Sequence, residues 1–243
     1  MAQKRMRIFA GPNGSGKTTL INELRTVVPF GIYLNADDIE KSINELGYFN
    51  LSEYKIYLQT SDIQLFFKYS DFSPKKLNNE NLWKHLIISD SKIMLTDGLK
   101  INSYLAADIA NFLRESLLEK DISFSYETVM SHTSKLDFIK KASTKGFRIY
   151  LYFIATEDPE ININRVKIRV AQKGHPVNSE VIRSRYYRSL ENLKAAISLS
   201  NRAYIFDNSG KIIKLISEVS EDKQINRIDK ESLPDWFMQY LNE

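Results

Sequence analysis

Residues 11–18, Gly11-Pro12-Asn13-Gly14-Ser15-Gly16-Lys17-Thr18, match G-x-x-x-x-G-K-[ST] at every specified position and lie between a short apolar run and a helical one. Before them, residues 5–10 alternate basic and apolar side chains and then turn wholly apolar, which is how a strand enters a core. After them, Leu20, Ile21 and Leu24 recur at helical spacing. Strand, glycine-rich loop and helix in that order point to an α/β fold. Glycines let the backbone wrap closely around phosphate oxygens, and main-chain amides at a helix N-terminus supply positive potential without a formal charge. The motif predicts a nucleoside triphosphate site, with ATP and Mg2+ as cofactors, made by Gly11, Pro12, Asn13, Gly14, Ser15, Gly16, Lys17, Thr18 and Thr19. Lys17 is expected on the β and γ phosphates, and the Thr18 hydroxyl on magnesium.

The rest of the chain alternates strand-like and helix-like segments. Residues 31–34 read as a second short strand, leading through Asn35-Ala36-Asp37-Asp38 into a helical run over 39–46. Residues from about 45 to 100 carry no phosphate or metal motif and read as a mostly helical insertion. Leu105, Ile109, Phe112, Leu113 and Leu117 give one apolar face over 103–119. A strand over 123–127 and a helix over 134–142 follow, and the nearly continuous apolar run 147–155 predicts a central strand of a parallel sheet. Helices are expected over 159–171 and 180–198, separated by Lys173-Gly174-His175-Pro176. Late strands over 203–206 and 212–219 flank the turn Asp207-Asn208-Ser209-Gly210, and residues 233–241 read as a closing helix. The expectation is one P-loop, nucleoside-kinase-like domain over 1–243: a three-layer α/β/α fold with a mainly parallel sheet, the insertion, and arginine-rich lid helices over about 159–198.

Charge is informative once it is located. The net charge is +4, yet residues 165–194 hold Arg165, Lys167, Arg169, Lys173, Arg183, Arg185, Arg188 and Lys194 against Glu180 and Glu191, a surplus of +6 that leaves −2 elsewhere. Such a local field attracts phosphate groups. With no cysteine, disulfides, thiolate metal sites and cysteine nucleophiles are excluded. Residues 1–10 hold no long apolar segment, and no stretch approaches the ~20 apolar residues of a membrane helix, so a cytoplasmic protein without membrane contact is expected.

The loop is shared by kinases, switch GTPases and motor or transporter ATPases. Neither a guanine-reading Asn-Lys-x-Asp nor a Leu-Ser-Gly-Gly-Gln signature is present, which puts a kinase ahead. A kinase needs a carboxylate to orient or deprotonate the acceptor hydroxyl, and cations to neutralise the moving charge. Asp37 and Asp38 are the candidate carboxylates, with an N-cap pair for the following helix as the alternative. Arg165 and Arg169, four residues apart, share a helix face; with Arg183, Arg185 and Arg188 on the next helix they either form a lid or solvate helix surfaces. Glu127 and Thr128 end a strand expected beside the first, and either bind a hydroxylated acceptor or cap the next helix. Asn35, Asp38, Glu127, Thr128 and Arg183 are the acceptor-binding candidates, and His175 is a loop residue that either contacts phosphate or substrate or serves a structural role. The rival reading is a nucleotide-dependent nucleic-acid-binding module, or a polynucleotide or nucleotide kinase. It would use Arg183-Ser184-Arg185-Tyr186-Tyr187-Arg188 to grip phosphates and stack bases. The preferred partners are a nucleoside triphosphate and a small-molecule acceptor, not nucleic acid.

Together the motifs resemble the zeta-toxin family of P-loop kinases. The resemblance rests on residues 11–19, Asn35-Ala36-Asp37-Asp38-Ile39, Tyr126-Glu127-Thr128, Arg165-Val166-x-x-Arg169-Val170 with Gly174-His175, Arg183-x-Arg185-Tyr186-x-Arg188-Ser189-Leu190-x-Asn192-Leu193, and Asp207-Asn208-Ser209-Gly210. It implies a P-loop kinase fold and transfer of the ATP γ phosphate to the 3′ hydroxyl on the amino sugar of UDP-N-acetylglucosamine. By matching position, Asp37 would be the base, Lys17 and Thr18 the phosphate and magnesium contacts, and Glu127 and Thr128 substrate contacts. Arg165 and Arg169 would neutralise charge, with Arg183 behind them. The resemblance leaves room for an antitoxin-like protein inhibitor as a partner.

Overall fold

In a computed structural model, which describes residues 3–172, 177–228 and 233–241, the chain opens with β1 (Arg5–Ala10), α1 (Lys17–Leu24), β2 (Ile32–Leu34), α2 (Ala36–Leu46), β3 (Tyr48–Asn50), α3 (Thr60–Lys68), α4 (Ser73–Lys76), β4 (Leu86–Ser89), β5 (Lys92–Leu95) and α5 (Ser103–Glu119). It continues through β6 (Phe124–Thr128), α6 (Ser134–Thr144), β7 (Arg148–Ala155), α7 (Pro159–Ala171), α8 (Ser179–Glu191), α9 (Leu193–Leu199), β8 (Arg202–Asp207), β9 (Lys214–Val219), β10 (Ile225–Arg227) and α10 (Asp235–Leu241). The chain divides into two compact units, residues 1–31 with 124–243, and residues 32–123. The insertion expected over about 45–100 lies within the second unit, which extends beyond it on both sides.

In the first unit the strands lie in the order β10-β9-β8-β7-β1-β6. β1 pairs in parallel with β6 and β7, and β7 pairs in parallel with β8, while β9 and β10 continue the edge antiparallel. Burial follows from sequence: five of the six β1 residues and six of the eight in β7 are buried, as expected for strands covered on both faces. Register puts Phe9 beside Tyr152 and Tyr152 beside Tyr204. Their rings stack across the strands at 4.9 and 5.0 Å, and Phe30 extends the ladder at 4.8 Å from Phe9. Aromatic pairs of this kind add about 0.5–1.5 kcal/mol each beyond their buried area, and they hold the strands in a register that aligns their carboxyl ends. The parallel strands expected over 123–127 and 147–155 are present, the first shifted by one residue and the second starting one residue later. The helix expected over 180–198 breaks at Asn192 into α8 and α9.

The second unit differs from the mostly helical insertion that composition suggested. Its strands β3, β5 and β4 form an antiparallel sheet in that order. Helix α3 is tied to β4 from both sides of one hydroxyl: Thr60 Oγ1 donates to Ile88 O at 3.0 Å and accepts from Ile88 N at 2.9 Å. Asp108, buried in α5, accepts from Ser70 Oγ (2.6 Å), Ser73 Oγ (2.7 Å) and Ser73 N (3.2 Å). The apolar face of α5 is buried as its periodicity required, with Leu105, Ile109, Leu113 and Leu117 fully covered. No helix among the described residues is long and apolar enough to cross a membrane.

Candidate functional site

The loop after β1 is built by its glycines in a more specific way than phosphate access alone. Gly11, Gly14 and Gly16 have φ of +146°, +75° and +100°, a region that side-chain-bearing residues adopt only under strain. A Cβ at each would also collide with the protein itself. At Gly11 it would meet Ile154 O at 2.0 Å, at Gly14 Asn162 O at 2.5 Å, and at Gly16 Asn208 Nδ2 at 2.2 Å. The space a side chain would need is thus filled by the end of β7, by α7 and by the turn after β8.

Those neighbours also take up the loop's carbonyls. Asn162 Nδ2 donates to Asn13 O at 2.8 Å, and Asn208 Nδ2 donates to Ser15 O at 2.8 Å. Lys17 Nζ donates to Gly11 O and Pro12 O, both at 2.9 Å, and Leu20 N closes the first helical bond to Gly16 O at 3.1 Å. Gly11 N donates to Thr128 O at 3.2 Å, anchoring the loop's start to the end of β6. With the carbonyls of Gly11, Pro12, Asn13, Ser15 and Gly16 engaged by donors, the negative ends of these peptide dipoles are neutralised. The start of α1 has no side-chain cap, and Thr18 and Thr19 are exposed on its first turn. A helix N-terminus of this kind attracts an anion. The Ser15 hydroxyl is buried with no hydrogen-bond partner.

These residues fit a polyphosphate: a cradle too tight for any Cβ, a lysine directly over the loop, and hydroxyls at the helix start. Among the described residues no group of three or more His, Asp or Glu is arranged to hold a metal ion. The motif itself would offer a divalent cation the Thr18 hydroxyl beside phosphate oxygens.

The arginines separate into different states. Arg165 on α7 is half-buried; its Nη2 donates to Gly210 O at 3.3 Å, and its Nη1 is buried without a hydrogen-bond partner. Arg169, one turn on, is exposed. Arg183 is engaged elsewhere, with Nη1 on Glu180 at 2.5 Å and Nη2 on Glu160. Arg185, two residues on, brings its Nη1 to 3.5 Å from Asn13 Oδ1 on the loop. A spacing of two residues along the helix separates them, because residues two apart project in different directions. Tyr186, in the segment expected to stack bases, is 2% exposed, and its hydroxyl donates to Thr156 O at 2.6 Å. Burial pushes that phenol up, and its ring is unavailable to a nucleobase. Lys173, Gly174, His175 and Pro176, between the two arginine helices, lie outside the described residues.

Glu127 and Thr128 end β6 beside Phe9 and Ala10 of β1, as expected. Neither caps the next helix, which starts after Thr133. The Thr128 hydroxyl instead accepts from Met130 N at 3.1 Å, holding a turn in which Met130 adopts φ +59°. In the second unit, Asn35 is the cap of α2, its side chain accepting from Asp37 N at 3.0 Å. Asp37 and Asp38 thus stand in the first helical turn and are not caps themselves, positions a helix dipole favours for carboxylates. The neighbouring Tyr54 phenol is pushed up by burial and by the Asp38 charge.

Asn162 and Asn208 escaped the sequence reading as loop contacts. Asn208 lay within the singled-out turn 207–210, but nothing in local pattern assigned its carboxamide to the loop.

The zeta toxin family model matches residues 93–219, just over half of the chain. Among curated proteins, an uncharacterized protein of Haemophilus influenzae is 32% identical over 69 residues, covering 28% of this chain and 49% of that protein. The chain thus spans about half the length of the curated relative it matches. Among solved structures, the AvrRxo1-ORF1:-ORF2 complex with ATP superposes with a TM-score of 0.55 at 12% identity, covering 95% of this chain and 62% of the other. The PezAT chromosomal toxin–antitoxin system of Streptococcus pneumoniae gives 0.50 at 13% identity, with 100% and 80% covered. At such identities the likeness establishes a shared fold.

Proposed function

The chain belongs to the zeta-toxin family, and from that premise we propose that it is an ATP-dependent small-molecule kinase that moves the γ-phosphoryl group of ATP onto a hydroxyl of a nucleotide sugar such as UDP-N-acetylglucosamine. The observation that carries the reading is the loop itself, with five carbonyls bonded to protein donors at a helix start without a cap. The structural relative solved with ATP supports the choice of nucleotide.

The chemistry assigned to each residue follows from its type and place. Loop amides and the Lys17 ammonium bind the β and γ phosphates, and the Lys17 contacts with Gly11 O and Pro12 O give way as phosphate oxygens compete for its protons. Magnesium, when bound to the Thr18 hydroxyl and phosphate oxygens, offsets the negative charge of the polyphosphate. Asp37, assigned by its place in Asn35-Ala36-Asp37-Asp38, takes the proton of the acceptor hydroxyl as the new O–P bond forms and the bond from γ phosphorus to the bridging oxygen breaks, releasing ADP. Arg165 and Arg169 neutralise charge on the moving group; the Nη1 of Arg165, buried without a protein partner, is the better suited of the two. Asn35, Asp38, Glu127 and Thr128 are assigned to the acceptor, and Arg183 to support through its ion pairs. An antitoxin-like protein partner is part of the proposal, supported by the toxin–antitoxin complex among the structural relatives.

The test is mass spectrometry of products after incubation with ATP, magnesium and either UDP-N-acetylglucosamine or a metabolite extract. A gain of one phosphate on the nucleotide sugar is expected. Lys17→Ala should abolish transfer, and Asp37→Asn should abolish it while sparing ATP binding by calorimetry. Unchanged turnover in Asp37→Asn removes Asp37 as the base, and an extract with no phosphorylated product overturns the kinase reading.

A further inference from the structure

We propose that Asn162 and Asn208 are positioning residues for the nucleotide: their carboxamides clamp the loop by its carbonyls from two sides and fix its amides in the orientation that receives the polyphosphate. The proposal rests on reading the loop as a polyphosphate site and adds the device that shapes it.

The two contacts are independent in origin. Asn162 lies on α7, 0% exposed, and the Thr156 hydroxyl donates to its Oδ1, which leaves Nδ2 to donate to Asn13 O. Its amide orientation is thereby set by chemistry, since a hydroxyl donor on one side and a carbonyl acceptor on the other admit one arrangement. Asn208 follows β8, 8% exposed, with its backbone N bonded to Ala155 O at 2.8 Å and its Nδ2 on Ser15 O. Its turn is braced from behind: Asp207 accepts from Ser209 N, Ser209 Oγ and Trp236 Nε1 at 3.1, 2.7 and 3.0 Å. The same turn offers Gly210 O to Arg165. One turn therefore holds both the phosphate loop and the arginine assigned to the γ phosphate.

Each clamp also explains a glycine. The Asn162 backbone fills the place of a Cβ at Gly14, and the Asn208 carboxamide fills that of a Cβ at Gly16. Rotating a peptide to accept these bonds with its carbonyl turns the N–H of the same peptide plane the opposite way. Bonds to Asn13 O and Ser15 O thus set the direction of the Gly14 and Gly16 amides. In a preorganised site such donors cost no rearrangement when the anion arrives.

The experiment uses Asn162→Asp and Asn208→Asp, which keep size but replace the amide donor by a group that donates only when protonated. ATP affinity of the full chain is measured by calorimetry from pH 5 to 8, each variant against the wild type at the same pH. At pH 8 each variant should bind about tenfold more weakly or worse, because an ionised carboxylate faces a carbonyl oxygen. As pH falls and the carboxyl takes a proton, the ratio to wild type should recover. Asn162→Ala and Asn208→Ala should lose affinity by a ratio that does not depend on pH, with a two-state melt confirming that each is folded. Wild-type-like affinity of both Asp variants at pH 8, or a loss that does not recover at pH 5, overturns the clamp. A wild type that binds no ATP overturns the polyphosphate reading instead.

Discussion

The two units differ in how far their polar ties reach along the chain. In the first, the loop is held by side chains 149 and 193 residues away, Asn162 to Asn13 and Asn208 to Ser15. In the second, Asp108 reaches Ser70 and Ser73 across 38 and 35 residues, and Thr60 reaches Ile88 across 28. Long-range ties form only when the whole parallel sheet is assembled, so the loop's shape is a property of the complete first unit. The shorter ties of the second unit are satisfied within it. Damage to the first unit's ties should therefore appear in nucleotide binding, and damage to the second unit's ties in stability.

The largest expected effect comes from Gly11→Ala. Its Cβ would meet a backbone oxygen, Ile154 O, at 2.0 Å, and the backbone is held at φ +146°. A main-chain atom in a central strand cannot step aside as a side chain can. Denaturant unfolding should show a loss of about 3 kcal/mol or more, with ATP binding abolished. A variant that keeps both would mean that the loop is not constrained by its surroundings, and the contrast between the units would collapse.

Asp108→Ala should be the next largest. It removes a buried acceptor from Ser70 Oγ, Ser73 Oγ and Ser73 N, leaving donors unpaired at an estimated cost of about 2–3 kcal/mol. Lower stability with unchanged ATP affinity sharpens the comparison. Equal damage to both, measured on the same preparation, breaks it.

How much of this was legible depends on the same distinction of range. The loop, its flanking strand and helix, and α7, whose bounds over 159–171 match the expectation, are short-range patterns: a proline at the first helical turn, Asp158 as the cap, apolar spacing within. The second unit's sheet was not legible because its strands have three or four residues, too few to show alternation. The turn joining β4 to β5 also lacks the glycine that usually betrays a hairpin, since Asp90 and Ser91 themselves take φ of +50° and +56°. At the site, residue types announced the loop and the cluster of arginines, but not that Arg185 would meet the loop while Arg183 paired with Glu160 and Glu180. Nor did Asn162 and Asn208 carry any local mark, because a carboxamide becomes a clamp only when strands β7 and β8 bring it to β1.

The smallest effect lies where α10 meets the rest of the first unit, and its sign follows from linkage. Glu157 accepts from Asp235 N at 3.0 Å, and its carboxyl is pushed up from the ordinary carboxylate value, first by burial and then by the Asp235 charge. An acid whose pKa is higher in the folded state binds protons more readily there than in the unfolded chain. Its contribution is full below the unfolded value, near 4.5, and is lost as pH rises through the raised folded value. Glu157→Gln keeps an oxygen for Asp235 N and removes the charge. Because Glu157 is exposed, solvent screening holds the gain to about a few tenths of a kcal/mol at pH 7, shrinking towards zero below pH 4. Melting curves at the two pH values measure the difference, and ATP affinity should stay at the wild-type value, because Glu157 touches neither the loop's carbonyls nor its lysine. A loss at pH 7 that shrinks towards zero in acid would instead show that the carboxylate is stabilised by α10 rather than strained by it.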